Sequence, residues 1–158
     1  MAQNKHADLV SNAGVQHIRD GESLLAIILR SGFAEPGIHF LTPNDFSQQL
    51  AFMRHPPGKH IVPHTHNPVR REVTYTQEVL ILRRGKLRAD FYRADQSYLY
   101  SVLLHAGDVI LLASGGHGFE VIEEAEFIEV KQGPYAGDHD KTRFSEVEAS
   151  QVRLVDES

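Results

Sequence analysis

Residues 77–84 read QEVLILRR, and Gly85 follows them. Successive side chains of a β-strand point to opposite faces, so Val79 and Ile81 share one face while Leu80 and Leu82 share the other. A strand that is apolar on both faces needs cover on both sides, from a second sheet layer or from a partner chain. The stretch therefore predicts a strand in a layered β-structure, and we expect the protein to be a homodimer.

Short apolar runs of this kind occur along most of the chain, separated by turn-forming residues. They are Leu24–Leu29, Ile38–Leu41, Leu50–Met53, Val79–Leu82, Leu87–Tyr92, Tyr98–Leu104, Val109–Leu112, Phe119–Ile122 and Phe127–Val130. No segment shows sustained helical periodicity. This spacing favours an all-β sandwich or barrel, with Gly85 and Gly107 in turns and little helix.

Composition excludes several classes of function. A chain of 158 residues suits one domain. Its formal net charge is −5 and no cluster of Lys and Arg stands out, which argues against nucleic acid as a partner. The absence of cysteine excludes thiolate metal sites and cysteine nucleophiles. The apolar run Leu24–Leu29 is too short to cross a bilayer, and Met1–Val10 lacks a signal-peptide core, so we expect no membrane partner and a cytoplasmic location.

The triplet His64-Thr65-His66 is the sharpest chemical feature of the sequence. On a strand, residues two apart point to the same face, so His64 and His66 would present two imidazoles side by side. Neutral imidazole is the commonest protein ligand for Zn, Fe, Ni and Cu ions. An isolated pair of this kind also occurs by chance on surface strands, so it needs further ligands to indicate a metal site.

Glu78 and His117 are candidates for those further ligands. Glu78 begins an apolar strand and shares a face with Leu80 and Leu82, where a carboxylate is costly unless it is paired, hydrogen-bonded or bound to a cation. His117 follows a glycine turn and opens the run Phe119–Ile122. A solvated Glu78 at the strand end and a core His117 are the alternatives.

Two stretches resemble the two motifs of the cupin superfamily. The first motif, G-x5-H-x-H-x3,4-E-x6-G, is matched by Gly58, His64, His66, Glu78 and Gly85. The resemblance implies that both histidines and the glutamate bind one metal ion inside a small barrel. It covers about residues 58–132 and implies a single cupin domain over residues 1–158, with residues 1–20 and 145–158 peripheral.

The second motif, G-x5-P-x-G-x2-H, is matched by Gly107, Ala113, Gly115 and His117, with alanine in place of proline and the histidine one residue early. The resemblance implies an all-β double-stranded β-helix, the jelly-roll or cupin barrel, with extra flanking strands. It makes His117 the fourth ligand of one divalent ion.

The identity of the carboxylate ligand stays open. Eleven residues, Asn67–Gln77, separate His66 from Glu78, where the family has three or four. Glu72 lies closer to His66. We prefer Glu78 because Gly85 then occupies the position of the family's turn glycine.

The ligand set allows Fe, Mn, Ni, Co or Zn, and an octahedral ion would keep two positions for water or substrate. Residues near the predicted site suggest further roles. Arg54, Arg70 and Arg71 are candidates for binding an anionic substrate, and His60, Tyr75 and Glu72 are candidates for proton transfer.

The resemblance implies a metal-dependent protein that acts on a small polar molecule. Two enzyme types fit, an isomerase or epimerase of sugars or sugar phosphates and a dioxygenase. The alternative is a non-catalytic, metal-loaded module that binds a small ligand. The sequence does not choose between them, because a fold alone does not define a function.

Overall fold

The computed structural model describes residues 14–155. It is nearly all β, with 46% of residues in strands and 5% in helices, so the all-β expectation is confirmed. The chain forms two compact units: Met1–Phe33 with Thr76–Ser158, and Ala34–Tyr75. The prediction of a single domain is not tested by this division. Neither short helix in the described range has the length and hydropathy of a membrane-spanning segment.

The first unit is built on one antiparallel sheet of six strands. They are β1 (Val15–Asp20), β2 (Ser23–Leu29), β5 (Glu78–Tyr92), β6 (Tyr98–His105), β7 (Val109–Leu112) and β8 (Gly116–Lys131). The order is β1-β2-β7-β5-β6, and β8 pairs with the other side of β5. The sheet is strongly curled into a half-barrel.

The strand β5 connects the two parts of this sheet. Its first residues, Glu78–Ile81, pair with β7, and its last residues, Lys86–Tyr92, pair with β6. On its other edge it pairs with β8 along almost its whole length. The paired strands β5 and β8 therefore form one long ribbon that belongs to both parts of the sheet.

The ribbon bends at Gly85. We expected a turn there, with separate strands on either side, and this is wrong: Gly85 lies inside β5, at φ +84°. The pairing with β8 shifts register three times between Leu82 and Leu87, which marks a β-bulge. Glycine suits a bulge as well as a turn, because both use positive φ. The runs Phe119–Ile122 and Phe127–Val130 likewise form a single strand, β8.

Gly107, by contrast, lies in the turn between β6 and β7, as expected. Asp108 is buried at 3% exposure and accepts hydrogen bonds from the backbone of Ser31 and His105. It also pairs with Arg30 at 2.9 Å. This contact ties the turn to the end of β2.

The core fills the concave side of the curled sheet. Every second residue of β5 points inward on each side of the bulge, which puts apolar side chains from both halves of the strand in one cluster. Its members are Ile18, Leu25, Ala26, Ile28, Leu80, Leu82, Leu87, Ala89, Phe91, Leu99, Val102, Leu104, Ile110 and Leu112.

Both ends of the described chain contact the sheet. β1 is an edge strand paired with β2, and its Ile18 is fully buried. Near the other end, Leu154 forms a parallel bridge with Ser101 of β6. Two 3-10 helices, Gly137–Asp140 and Ala149–Gln151, precede that bridge. Residues 1–13 and 156–158 of the segments expected at the periphery lie outside the described residues.

The second unit contains the two-stranded antiparallel pair β3 (Gly37–Phe40) and β4 (Ala51–Arg54). Residues 55–75 follow without a strand. The expectation that His64 and His66 lie on a strand is therefore wrong. The flanking sequence gives a physical reason: Pro56, Pro57, Pro63 and Pro68 lack the backbone N–H that a strand ladder requires.

We predict that Gly85→Ala is strongly destabilising. An added Cβ would lie 2.7 Å from the carbonyl carbon of Glu124 and 2.8 Å from Cα of Ala125, and the positive φ adds strain. We expect the free energy of unfolding to fall by at least about 3 kcal/mol. Urea denaturation followed by circular dichroism measures it.

Two glycines provide matched controls. Gly21 also has positive φ, at +56°, but an added Cβ meets no atom within 4 Å, so Gly21→Ala isolates the backbone strain. Gly32 has neither constraint, and Gly32→Ala should change stability by less than about 0.5 kcal/mol. Equal losses at Gly85 and Gly21 would show that the close approach of β8 does not matter.

Candidate metal centre

Among the described residues, the first unit buries three carboxylates, Glu78, Asp90 and Asp108, and Glu78 is the one predicted as a metal ligand. It begins β5, as the sequence predicts, and shares the inner face with Leu80 and Leu82. Its side chain is 9% exposed. A carboxylate at this depth needs compensating partners, since desolvation of an unpaired charge costs several kcal/mol.

His117 supplies the closest of those partners. It is the second residue of β8, and its Nε2 lies 3.2 Å from Oε2 of Glu78. An ionised carboxylate only accepts hydrogen bonds, so Nε2–H of His117 donates to it. About a third of the His117 side chain, 33%, stays exposed.

This contact depends on the bend in the β5–β8 ribbon. In the strand register His117 pairs with Phe91, which lies 13 residues after Glu78. Along a straight strand those residues would be about 43 Å apart. The bulge at Gly85 folds the ribbon so that side chains from its two ends meet.

The surroundings keep Glu78 ionised. The hydrogen bond from His117 lowers the pKa of Glu78 below its ordinary value of 4.5, and the charges of His117, Lys141 and Lys131 lower that pKa further. Burial raises the pKa of Glu78, but by less than the hydrogen bond and the neighbouring charges lower it. Carboxylate and imidazole are both ligands of divalent transition metals, and binding through Nε2 of His117 would displace the proton that this nitrogen donates to Glu78.

The second pair of predicted ligands lies in the second unit. The ring centroids of His64 and His66 are 5.2 Å apart, with the rings edge to face. Nδ1 of His64 is 2.9 Å from the carbonyl oxygen of Val62, which only accepts, so Nδ1–H is the donor. In the neutral ring, Nε2 of His64 therefore keeps its lone pair free, as a metal ligand requires.

The four predicted ligands thus form two close pairs. Glu78 and His117 belong to the first unit, and His64 and His66 to the second. Within either unit, no group of three or more His, Asp or Glu side chains among residues 14–155 is arranged to hold a metal ion. The donor types fit a divalent ion, and the four-ligand site stays a prediction.

The other candidate residues all lie in the second unit. The anion-binding candidates are exposed: Arg54 donates to the carbonyl of Ala34, Arg71 donates to the carbonyl of Val69 at 3.4 Å, and Arg70 lies beside it. The proton-transfer candidates are exposed as well, and they are His60, Glu72 and Tyr75. Tyr75 is 77% exposed.

Two residues near Glu78 were not anticipated. Nζ of Lys131 and Nζ of Lys141 each lie 3.9 Å from Oε1 of Glu78. Lys131 is paired with Glu78 in the β5–β8 register, so knowledge of that register would have identified it. No local pattern marks Lys141, because it follows a 3-10 helix far from any predicted ligand.

We predict that Glu78 stabilises the metal-free protein in a pH-dependent way. Its pKa is lowered on folding, so its contribution is fully present above pH 4.5 and is lost as the pH falls through the lowered value. In chelator-treated protein, Glu78→Gln should reduce the free energy of unfolding at pH 7 by on the order of 1 kcal/mol. Well below the lowered pKa, the difference should vanish.

The measurement is chemical denaturation of both proteins from pH 7 to pH 3. Glu22→Gln, at an exposed turn carboxylate, is the control and should show no such trend. A Glu78→Gln difference that persists unchanged in acid would mean that the carboxylate charge is not what stabilises this contact.

Comparisons with protein-family models, with curated proteins and with solved structures give no match for this chain. The fold class therefore comes from the strands described above. The candidate site comes from the contacts of Glu78, His117, His64 and His66.

Proposed function

We propose that this chain is a metal-dependent cupin-type protein with a double-stranded β-helix fold and flanking strands. His64, His66, Glu78 and His117 hold one divalent ion, which is Fe, Mn, Ni, Co or Zn. Two observations support the proposal. The all-β sheet is curled into a half-barrel, and each half of the predicted ligand set forms a close pair.

The Glu78–His117 contact carries the proposal. These residues are remote along the ribbon, and both reach the concave side of the sheet. The sequence motifs single out the same two residues as ligands, on grounds independent of their contact. A structural ion pair would also satisfy Glu78, so metal retention is the discriminating property.

The proposed substrate is a small polar molecule. A bound divalent ion would supply Lewis acidity for polarising a carbonyl or hydroxyl group, which suits sugar or sugar-phosphate isomerases and epimerases. It would alternatively supply a binding position for dioxygen, which suits dioxygenases. The chain's own residues would orient the substrate and move protons. His60, Tyr75 and Glu72 remain the proton-transfer candidates, and Arg54, Arg70 and Arg71 the sequence-based anion binders.

A non-catalytic, metal-loaded binding module is the second candidate. The exposure of His60, Tyr75 and Glu72 favours it, because general acids and bases usually have pKa values tuned by burial or by neighbouring charges. A screen of phosphosugars and oxidisable small molecules, with each metal in turn, separates the two. Turnover supports the enzyme, and saturable binding without turnover supports the module.

We predict that Glu78→Gln lowers divalent metal affinity at least about tenfold, whereas Glu72→Gln does not. The change removes one charged ligand and leaves side-chain volume intact. His64→Ala and His117→Ala should abolish metal retention in a protein that stays folded. Elemental analysis and titration with Mn²⁺ or Zn²⁺ measure both effects, with circular dichroism as the folding control.

The pattern of losses is diagnostic. Metal loss in Glu72→Gln alone would assign the carboxylate ligand to Glu72. Retention in both glutamate variants would leave a three-histidine site. A wild-type protein that binds none of the five metals would overturn the proposed function.

We also propose that the protein is a homodimer in the cytoplasm. The dimer proposal is supported by the convex face of the ribbon. Ile128 and Val130 of β8 lie beside Ile81 and Val79 of β5 in the strand register. The two β8 residues are each 46% exposed. Among the described strands β8 pairs with β5 alone, so this apolar face continues to an open edge. A second copy would cover it.

Replacing Ile128 and Val130 together with Glu should weaken the dimer at least tenfold, because charges would be desolvated on association. Light scattering at micromolar concentration measures the mass. Val121→Glu, at an exposed position on the other face of β8, is the control and should leave the dimer intact. A monomeric wild-type protein at these concentrations would exclude the dimer.

A further inference from the structure

Two lysine side chains converge on Glu78 within the unit that also holds His117. Lys131 lies directly across from Glu78 in the β5–β8 register, and Lys141 approaches from the segment after the first 3-10 helix. Both ammonium nitrogens are 3.9 Å from Oε1, whereas His117 contacts Oε2. One carboxylate is therefore surrounded by three nitrogen groups from three positions in the chain.

Hydrogen bonds of the neighbouring residues position both lysines. The backbone N–H of Gln77 donates to the side chain of Gln132 at 2.8 Å, which fastens the residue after Lys131. Thr76 Oγ1 donates to Oδ1 of Asp140, also at 2.8 Å, which fastens the residue before Lys141. Since Thr76 and Gln77 immediately precede Glu78, the two lysines are held at the start of β5.

Neither lysine donates a hydrogen bond to Glu78. A distance of 3.9 Å is beyond hydrogen-bond length, and the contact of Lys131 with Glu129, at 3.6 Å, is too long as well. Each ammonium group carries three N–H donors. The side chains of Lys131 and Lys141 are 25% and 50% exposed, so an acceptor from solution can reach them.

The positive charges around Glu78 also favour the binding of an anion. The charged groups that contact Glu78 are Lys131, Lys141 and, when protonated, His117. A divalent ion on Glu78 would add two positive charges close to both ammonium groups, and charges a few ångströms apart repel strongly in a partly buried setting. An anion bound by the two lysines would offset part of that repulsion.

We propose that this site binds an anionic ligand, a small molecule whose carboxylate or phosphate oxygens are held by Lys131 and Lys141 beside Glu78 and His117. The inference deepens the proposed function by naming the substrate class, and it rests on that function for the claim that the ligand meets a metal. The anion binders are then lysines of the first unit. Arg54, Arg70 and Arg71 belong to the second unit and are not needed for this step.

Isothermal titration calorimetry with two probes tests the proposal. Sulfate represents a phosphate and acetate represents a carboxylate. Each is titrated into metal-free protein and into Mn²⁺-loaded protein. We expect saturable binding of at least one probe, at least tenfold weaker in the Lys131→Met, Lys141→Met double variant, and tighter in the Mn²⁺-loaded protein than in the metal-free protein. The tighter probe identifies the ligand group.

Two further variants make the test specific. Lys86→Met is the matched control, because Lys86 is 29% exposed on the same ribbon but pairs with Glu123 at 3.0 Å, and its loss should change the affinity less than twofold. Glu78→Gln should tighten probe binding to metal-free protein at least threefold, because it removes the competing negative charge. A merely structural role of the lysines predicts no such gain.

The outcomes separate this inference from the proposed function. Probe binding that depends on both lysines in a protein that takes up no metal supports the anion site and overturns the metal centre. Metal binding with no probe binding, or with equal binding in the double variant and wild type, overturns the anion site and leaves the metal centre standing.

Discussion

The bend of the β5–β8 ribbon at Gly85 is the constraint on which the rest of the first unit depends. On one side of the bend β5 pairs with β7, and on the other it pairs with β6, so the bend allows one strand to serve two parts of the sheet. It also turns Leu80 and Leu87 toward the same core. The backbone of Glu124 and Ala125 approaches so closely that only glycine fits.

The charged side chains of the ribbon differ in how far they are exposed to solvent. On the other face of β5, Arg84 and Lys86 pair with exposed glutamates of β8, and such solvent-exposed ion pairs contribute little. Arg88 is only 15% exposed and pairs both with Glu120 and with the buried Asp90. Glu78, like Asp90, is shielded from water. Its partners therefore act on it through a lower effective dielectric, and they hold it charged at neutral pH.

Apolar periodicity predicted much of the sheet. The runs that became β2, β6 and β7 were located to within a few residues, because buried strands must be apolar and the turns between them need glycine or proline. The runs that became β3 and β4 were located as closely, although these strands form a separate pair and are not buried. β1 was missed, since only Val15 and Ile18 are buried in an otherwise polar segment. Gly85 was misread, because sequence alone does not distinguish the positive φ of a turn from that of a bulge.

The candidate site was predicted in part, for a similar reason. Glu78 was identified from the cost of a carboxylate on an apolar face, and the structure does bury it among compensating charges. Lys131 was not identified, because its role follows from register, which is a property of two strands together. The histidine pair was assigned to a strand on spacing alone, although the neighbouring prolines oppose one.

The pairing of β5 with β8 has a consequence for the order of events in folding. Glu78 and His117 are 39 residues apart in the chain, and β6 and β7 lie between the strands that carry them. The hairpin of β5 and β6 closes a short loop, whereas the β5–β8 ribbon must close a much longer one at a greater entropic cost. We therefore expect the two ends of the ribbon to meet late, after the strands between them are in place. On this order of events, the cluster around Glu78 forms only in the completed fold, and we expect a partly folded chain to lack it.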